Sequence, residues 1–245
     1  MKSDLSVIIP AYNETDRLGD SLDTIRQYAA LTTGRVEVIV VDDGSTDGTP
    51  DLVRDYPAGD LHLKLLVNEQ NQGKGYSVRR GMLEASGDQL LMYDADGATP
   101  IEEVDKLRSE MTGGADVVIG SRAMPESVID PPPTFKRQLM RQAFAMIRGR
   151  LMLPDICDTQ CGFKLFTRHA AREIFGLAED DGFAFDCEVL ALARHLGYRI
   201  VEVGVVWRHH ANSTIRPVRD SLRMLRALWR IRKRLKAMAP HHTTP

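Results

Sequence analysis

Short apolar runs and stripes of helical period alternate along the first half of the chain. Leu5–Pro10 (LSVIIP) is a compact apolar run closed by proline, the pattern of a strand buried on both faces. Asn13 stands where it can cap a helix whose apolar stripe is Leu18, Leu22, Ile25 and Ala29. Val36–Val41 predicts a second strand, Thr49–Tyr56 a short helix and Leu61–Val67 a third strand. Lys74–Ser86 predicts a helix with Gly87 as its C-terminal cap. Gln89–Tyr93 is a fourth strand. Thr99-Pro100-Ile101-Glu102 reads as a capping box with proline at the first helical position, and Asp116–Gly120 is a fifth strand. Strand and helix exchanging at this pace predict an α/β fold, a doubly wound and mostly parallel sheet with helices on both faces.

Beyond residue 122 the alternation breaks. Ala123–Thr134, with its Pro131-Pro132-Pro133 run, predicts a long loop; Phe135–Arg150 predicts a helix, Asp158–Phe166 a turn and strand, Phe183–Leu196 a helix and Tyr198–Val206 a strand. One domain is expected over residues 1–215, then a basic helix over 216–238 and a frayed tail over 239–245. Residues 216–236 carry nine Arg or Lys against the single acid Asp220. On a helix Arg219, Arg223, Arg226, Arg230 and Lys233 share a stripe, and Leu222, Leu225, Leu228, Trp229, Ile231 and Leu235 cover much of the remainder. Such a helix suits an anionic membrane surface, or packing on the domain with a solvated basic face. It lacks the aromatic interleaving of a nucleic-acid module, so no nucleic-acid partner is expected.

Composition narrows this only a little. A net charge of −2 over 245 residues excludes a general polyanion binder, and 43% hydrophobic residues suit an ordinary globular core. No apolar run reaches the roughly 18 residues that a membrane span needs, and Met1–Asp4 has no signal-peptide layout. A cytoplasmic location is expected, with peripheral contact on the cytoplasmic membrane face as an option. Cys157, Cys161 and Cys187 lack paired C-x-x-C spacing; reduced core thiols are expected rather than a zinc site.

Candidate chemistry gathers at the carboxyl ends of the strands, where open α/β sheets bind ligands. Strand one ends in Pro10-Ala11-Tyr12-Asn13-Glu14, strand two in Asp42-Asp43-Gly44-Ser45, strand four in Asp94-Ala95-Asp96-Gly97 and strand five in Gly120-Ser121-Arg122. Asp94 and Asp96, two carboxylates at a strand end, suit a hard octahedral cation such as Mg²⁺ or Mn²⁺ shared with phosphate oxygens; capping aspartates of a turn are the plain alternative. Asp42 and Asp43 would be costly if buried unpaired, and can accept hydrogen bonds from a base or ribose. In Asn71-Gln72-Gly73-Lys74-Gly75 the backbone amides at a helix start, with Lys74, can meet phosphate. Residues 68 and 75, asparagine and glycine, break a P-loop, and no G-x-G-x-x-G follows strand one.

The set IIPAYNE (8–14), VDDGSTDGT (41–49), NQGKG (71–75), DADGAT (94–99) and GSR (120–122) resembles family 2 glycosyltransferases of the GT-A fold. Asp158-Thr159-Gln160-Cys161-Gly162-Phe163-Lys164-Leu165-Phe166, Phe183-Ala184-Phe185-Asp186-Cys187-Glu188 and Trp207 resemble the dolichyl-phosphate glucosyltransferase branch of the polyprenyl-phosphate glycosyltransferases. The resemblance spans roughly residues 5–236. It implies a metal-dependent, inverting transfer of a sugar, glucose above others, from a UDP-sugar to a polyprenyl or dolichyl phosphate. It implies that Pro10, Tyr12, Glu14, Asp42 and Asp43 hold base and ribose, with Gly73, Lys74, Ala95 and Gln160 also on the nucleotide-sugar. It implies that Asp94 and Asp96 bind metal and diphosphate. Arg122, Lys164 and Trp207 would then face the acceptor, with Gly162 beside them and Asp96, Arg122 and Asp158 as the catalytic set. The mannosyl branch has glutamine at the position of Ala98; DADGAT favours a UDP-sugar. The alternatives are another nucleotide-sugar or a soluble or saccharide acceptor, a sugar-1-phosphate nucleotidyltransferase, and a non-catalytic nucleotide-sugar module. An alcohol acceptor would require a base, for which Asp158 and Asp186 are the candidates.

Overall fold

The computed structural model describes residues 4–131, 153–208 and 217–238, the stretch 217–225 by its backbone alone. The expected helix over 135–150, Pro132 and Pro133, and His209-His210 fall outside these residues. The strands are β1 (Leu5–Ala11), β2 (Val36–Asp42), β3 (His62–Val67), β4 (Gln89–Met92), β5 (Val117–Ser121), β6 (Val128–Asp130), β7 (Lys164–Thr167), β8 (Ile200–Gly204) and β9 (Val206–Arg208). The helices are α1 (Leu18–Leu31), α2 (Thr49–Asp55), α3 (Lys74–Glu84), α4 (Val104–Thr112), α5 (Arg168–Leu177), α6 (Phe185–His195) and α7 (Pro217–Ala237).

Seven strands form one sheet in the order β3-β2-β1-β4-β7-β5-β8, and β6 pairs with β9 apart from it. All pairings in the large sheet are parallel except those of β7, which runs antiparallel between β4 and β5. The continuous apolar runs are explained by burial on two sides. Val7, Ile9, Val38 and Val40 pack with Leu18, Leu22 and Ile25 of α1 and Val104 and Leu107 of α4. Ile8, Ile39 and Val41 face the other way, onto Val78 and Met82 of α3, Ile174 and Phe175 of α5, and Val189 and Leu190 of α6. The doubly wound, mostly parallel expectation therefore holds.

Several local expectations do not. Asn13 is no helix cap: α1 starts at Leu18, and Asn13 takes φ 55° while its Oδ1 accepts from the Thr46 amide at 2.9 Å. Thr99 makes no capping bond; a short 3₁₀ turn (Ile101–Glu103) precedes α4. Helix α3 stops at Glu84, and Gly87 lies against Ser6, whose Oγ accepts its amide at 2.8 Å. Helix α5 was not foreseen, although Thr167 caps it by accepting from the Ala170 amide. The single strand expected over 198–206 is two, β8 and β9, serving different sheets.

Helix α7 packs on α6 rather than standing alone. Ala227, Leu228 and Ile231 are buried, whereas Trp229, placed among the apolar positions from sequence, is 64% exposed. Arg230 reaches Asp180 at 3.1 Å, and Arg234 donates to buried Glu188 at 2.7 Å. Glu188 also accepts from the Glu179 and Asp180 amides. Burial pushes its carboxyl above the ordinary value, more than those amides and Arg234 pull it down. Truncating Arg234 to alanine leaves that carboxylate short of its cation and is expected to cost about 1–3 kcal/mol in urea unfolding. Arg226→Ala, at an exposed position of the same helix, is expected to fall within about 0.5 kcal/mol of wild type.

Candidate active site

A strand that runs antiparallel begins where its parallel neighbours end. Strand β7 therefore starts at the edge that receives β1, β2, β4 and β5, with Lys164 opposite Met92 and Ile119. This register brings residues 158–164 onto the loop after β4. Gly162 is the closest approach: a Cβ there would stand 1.8 Å from Asp94 Oδ2, so only glycine leaves the carboxylate its place.

Asp94 meets the ammonium of Lys74 at 2.6 Å, and both side chains keep about a third or less of their exposure. Burial works to raise the Asp94 carboxyl, but Lys74, with Lys164 and Arg122 behind it, outweighs burial and holds it below the ordinary value. Asp96, two residues on, accepts from the Ala98 amide at 3.1 Å and lies 3.9 Å from Arg17. Arg17 pairs with Glu14 at 2.6 Å. Burial nevertheless lifts the Glu14 carboxyl above its usual value, with Arg17 opposing it. The Ala95 carbonyl accepts from Ser21 at 2.8 Å. Tyr93, Asp94, Ala98, Thr99, Gly162, Phe163 and Trp207 enclose a small pocket beside the carboxylate.

Among the residues expected to hold the nucleotide, Pro10 is the penultimate residue of β1, Tyr12 follows the strand and is 46% exposed, and Asp42 and Asp43 are buried. Asp43 is consumed internally, accepting from Asn68 Nδ2 at 2.7 Å and from the Gln72 and Gly73 amides at 2.9 and 2.8 Å. Asp42 is not: Oδ2 accepts from the Ser45 amide, while Oδ1 is a buried acceptor with no partner among the described residues. The amides at the start of α3, expected to face phosphate, are also taken. Gly75 and Tyr76 both donate to the Asp181 carbonyl, and a Cβ on Gly75 would stand 2.2 Å from the Asp180 carbonyl. Tight packing against loop 178–184 leaves this segment its Lys74 ammonium as the group directed into the site.

The 158–164 loop is a second charge cluster. Arg122 closes its fork on Asp158, Nε at 2.6 Å and Nη2 at 2.9 Å, and its guanidinium lies 5.5 Å from the centre of the Trp207 ring. Burial opposes ionisation of Asp158, but Arg122 overcomes it and holds the carboxyl far below its usual range. Glu202 on β8 accepts from the Cys157 and Asp158 amides at 2.7 and 2.8 Å and so fixes the loop. Gln160 reaches Cys187 Sγ at 3.7 Å. Lys164 departs from expectation: it is 1% exposed, paired with Asp186 and donating to the Cys161 carbonyl, which turns its charge inward rather than toward an acceptor. Burial raises the Asp186 carboxyl despite Lys164. Cys161 and Cys187 are buried and reduced, as expected of core thiols, whereas Cys157 is exposed and departs from that expectation. Arg17, Glu202 and the Lys74–Asp94 contact were not read from sequence. Arg17 had one visible signal, its spacing of three from Glu14.

Comparison with known proteins identifies the family. The family model described as glycosyl transferase family 2 matches residues 6–175. The chain belongs to glycosyl transferase family 2. Within it, the similarity runs to dolichyl-phosphate β-glucosyltransferases. That of Dictyostelium discoideum is 38% identical over 242 residues, covering 94% of this chain and 74% of the relative. The human enzyme of that name is 35% identical over 243 residues, covering 94% and 75%. Among solved structures, glucosyl-3-phosphoglycerate synthase from Mycobacterium tuberculosis, in complex with Mn²⁺, UDP-glucose and phosphoglyceric acid, superposes with a TM-score of 0.68. At 24% identity, covering 97% of this chain and 81% of that one, it supports the GT-A fold.

Two expectations follow from the geometry. Gly162→Ala should displace Asp94 and lower sugar transfer at least about 100-fold while circular dichroism shows an intact fold. Asp158, ionised more readily folded than unfolded, contributes stability above its unfolded value of 3.8 that is lost as pH falls through and below it. The drop in urea midpoint between pH 7 and pH 3 should shrink in Asp158→Asn; an unchanged drop would contradict the pairing.

Proposed function

We propose that this chain transfers glucose from UDP-glucose to a dolichyl or other polyprenyl phosphate, inverting the anomeric configuration with the help of a divalent cation. The observation that carries the acceptor class is the state of the carboxylates. Asp158 is neutralised by Arg122 and Asp186 by buried Lys164, so both base candidates for an alcohol acceptor are already committed. A phosphate monoester arrives ionised and requires no strong base. The named activity of the relatives supports the same acceptor.

In this reading Pro10, Tyr12, Glu14 and Asp42 receive the base and ribose, and the unpartnered Asp42 Oδ1 supplies an acceptor for a nucleotide N–H or O–H. Asp43 acts through the loop it holds. Asp94, Ala95 and Asp96 line the diphosphate with Gly73, Lys74 and Gln160 nearby. Among the described residues no three His, Cys, Asp or Glu side chains could enclose a metal unaided. Two carboxylates with a diphosphate fit Mg²⁺ or Mn²⁺, which take much of their shell from substrate and water. Bound there, the cation would stabilise charge on the departing UDP. The acceptor oxygen bonds to the anomeric carbon as the bond to the β-phosphate oxygen breaks. Arg122 and Trp207 border the acceptor side, and Arg122 supplies positive charge there while Asp158 orients it. Among the described residues no helix is long and apolar enough to cross a membrane. The exposed residues Arg226, Trp229, Arg230 and Lys233 of α7 offer a basic, aromatic face for peripheral contact with anionic lipid.

The direct test is UDP release from UDP- and GDP-sugars with Mg²⁺ or Mn²⁺, with and without a polyprenyl phosphate. Release is expected from UDP-glucose, dependent on the lipid phosphate and abolished by chelation. Asp96→Asn should lower it at least about 100-fold, a loss of several kcal/mol of transition-state stabilisation. Lipid-independent turnover, or full activity in Asp96→Asn, would overturn the reading.

A further inference from the structure

Lys74 and Asp94 form a contact that the proposed chemistry cannot leave as it stands. Asp94 Oδ2 sits over the α-carbon of Gly162, where not even a methyl group fits. Its other oxygen, Oδ1, is held by the Lys74 ammonium at 2.6 Å. A dication using Oδ1 would therefore have to occupy space already filled by a positive charge. The backbone that carries Lys74 is not free to withdraw. Asp43 ties down the Gln72 and Gly73 amides, the Asp181 carbonyl ties down those of Gly75 and Tyr76, and Gly73 and Gly75 lie hard against loop 178–184. What can move is the four-carbon stem of Lys74, which ends in a compact charge with rotatable donors.

We infer that Lys74 is a resident counter-ion that reserves Asp94 until the nucleotide diphosphate arrives. This rests on the donor site proposed above and adds a regulation to it. Without donor, the ammonium neutralises Asp94 and repels a dication. The incoming diphosphate offers a competing double negative charge, Lys74 swings to it, and Oδ1 becomes available. Cation and donor then bind as a coupled pair, each weak alone, and the carboxylate never stands unpaired beside buried Asp186. No bond is made or broken in this exchange of ionic partners. Lys74 acts here as a positioning residue whose effect is read in binding, before any turnover.

The test uses the 245-residue chain with Mn²⁺ as the cation and UDP as the diphosphate, free Mn²⁺ being followed by electron paramagnetic resonance. In wild type, UDP is expected to tighten Mn²⁺ binding at least about tenfold, within the usual range of coupling between sites. In Lys74→Met, Mn²⁺ alone should bind about tenfold tighter, UDP alone more weakly, and the coupling should fall below about threefold. Lys74→Arg keeps the charge and clamps the carboxylate with a fork, so Mn²⁺ alone should bind no better than in wild type. Thermal unfolding of each variant confirms that it is folded. If folded Lys74→Met retains both the Mn²⁺ affinity and the coupling of wild type, the counter-ion role is wrong while the donor site stands. If wild type binds neither Mn²⁺ nor UDP, the donor site itself is wrong and this inference falls with it.

Discussion

The hydrogen-bonded insertion of β7 between β4 and β5 is the constraint on which the site depends. An all-parallel sheet would deliver only its own strand ends to this edge. One reversed strand delivers an incoming loop as well, and its register with Met92 and Ile119 sets that loop to the residue. A slip of one residue would turn Lys164 to the other face and withdraw Gly162 from Asp94. The contacts of Arg122 with Asp158, and of Glu202 with the amides at 157 and 158, follow from the same placement.

Charge is then managed by pairing. Asp94 is matched by Lys74, Asp158 by Arg122, Asp186 by Lys164 and Glu14 by Arg17. Buried pairs of this kind seldom add much stability, because desolvation offsets the attraction. Their value here is geometric: each cation fixes a carboxylate at a chosen point. The unpartnered oxygen of Asp42 stands outside this scheme, on the side proposed for the nucleotide.

Much of this was legible in the chain. The apolar runs gave β1 and β2 because burial on both faces leaves a strand few polar positions, here Ser6 and Glu37, which bond to each other. The carboxylates after strands one, two and four were visible because nothing in a strand-to-helix turn requires so many acids. Helix α5 was missed because Arg168–Leu177 follows β7 without a linker, and its cap, Thr167, is the last strand residue. Lys164 was misread for a different reason. The resemblance places Lys164 toward the acceptor, and only the reversed strand, which sets it against Asp186 of α6, shows why it is buried. Likewise the glycines of residues 71–75 suggested free amides for phosphate, whereas they permit contact with loop 178–184. Sequence spacing records that a close approach occurs; it does not record what approaches.

Loop 178–184 has neighbours on both sides. Its backbone carries the start of α3, while Asp180 holds Arg230 of α7 and its neighbour Glu179 lies 3.2 Å from Arg234. The C-terminal helix is thus two contacts away from the lysine that meets Asp94. Chimeras that exchange this helix between relatives would exchange part of the support of the segment that carries Lys74 as well. A change in that helix, whatever surface it meets, is therefore felt at the start of α3, and residues far apart in the chain share one support.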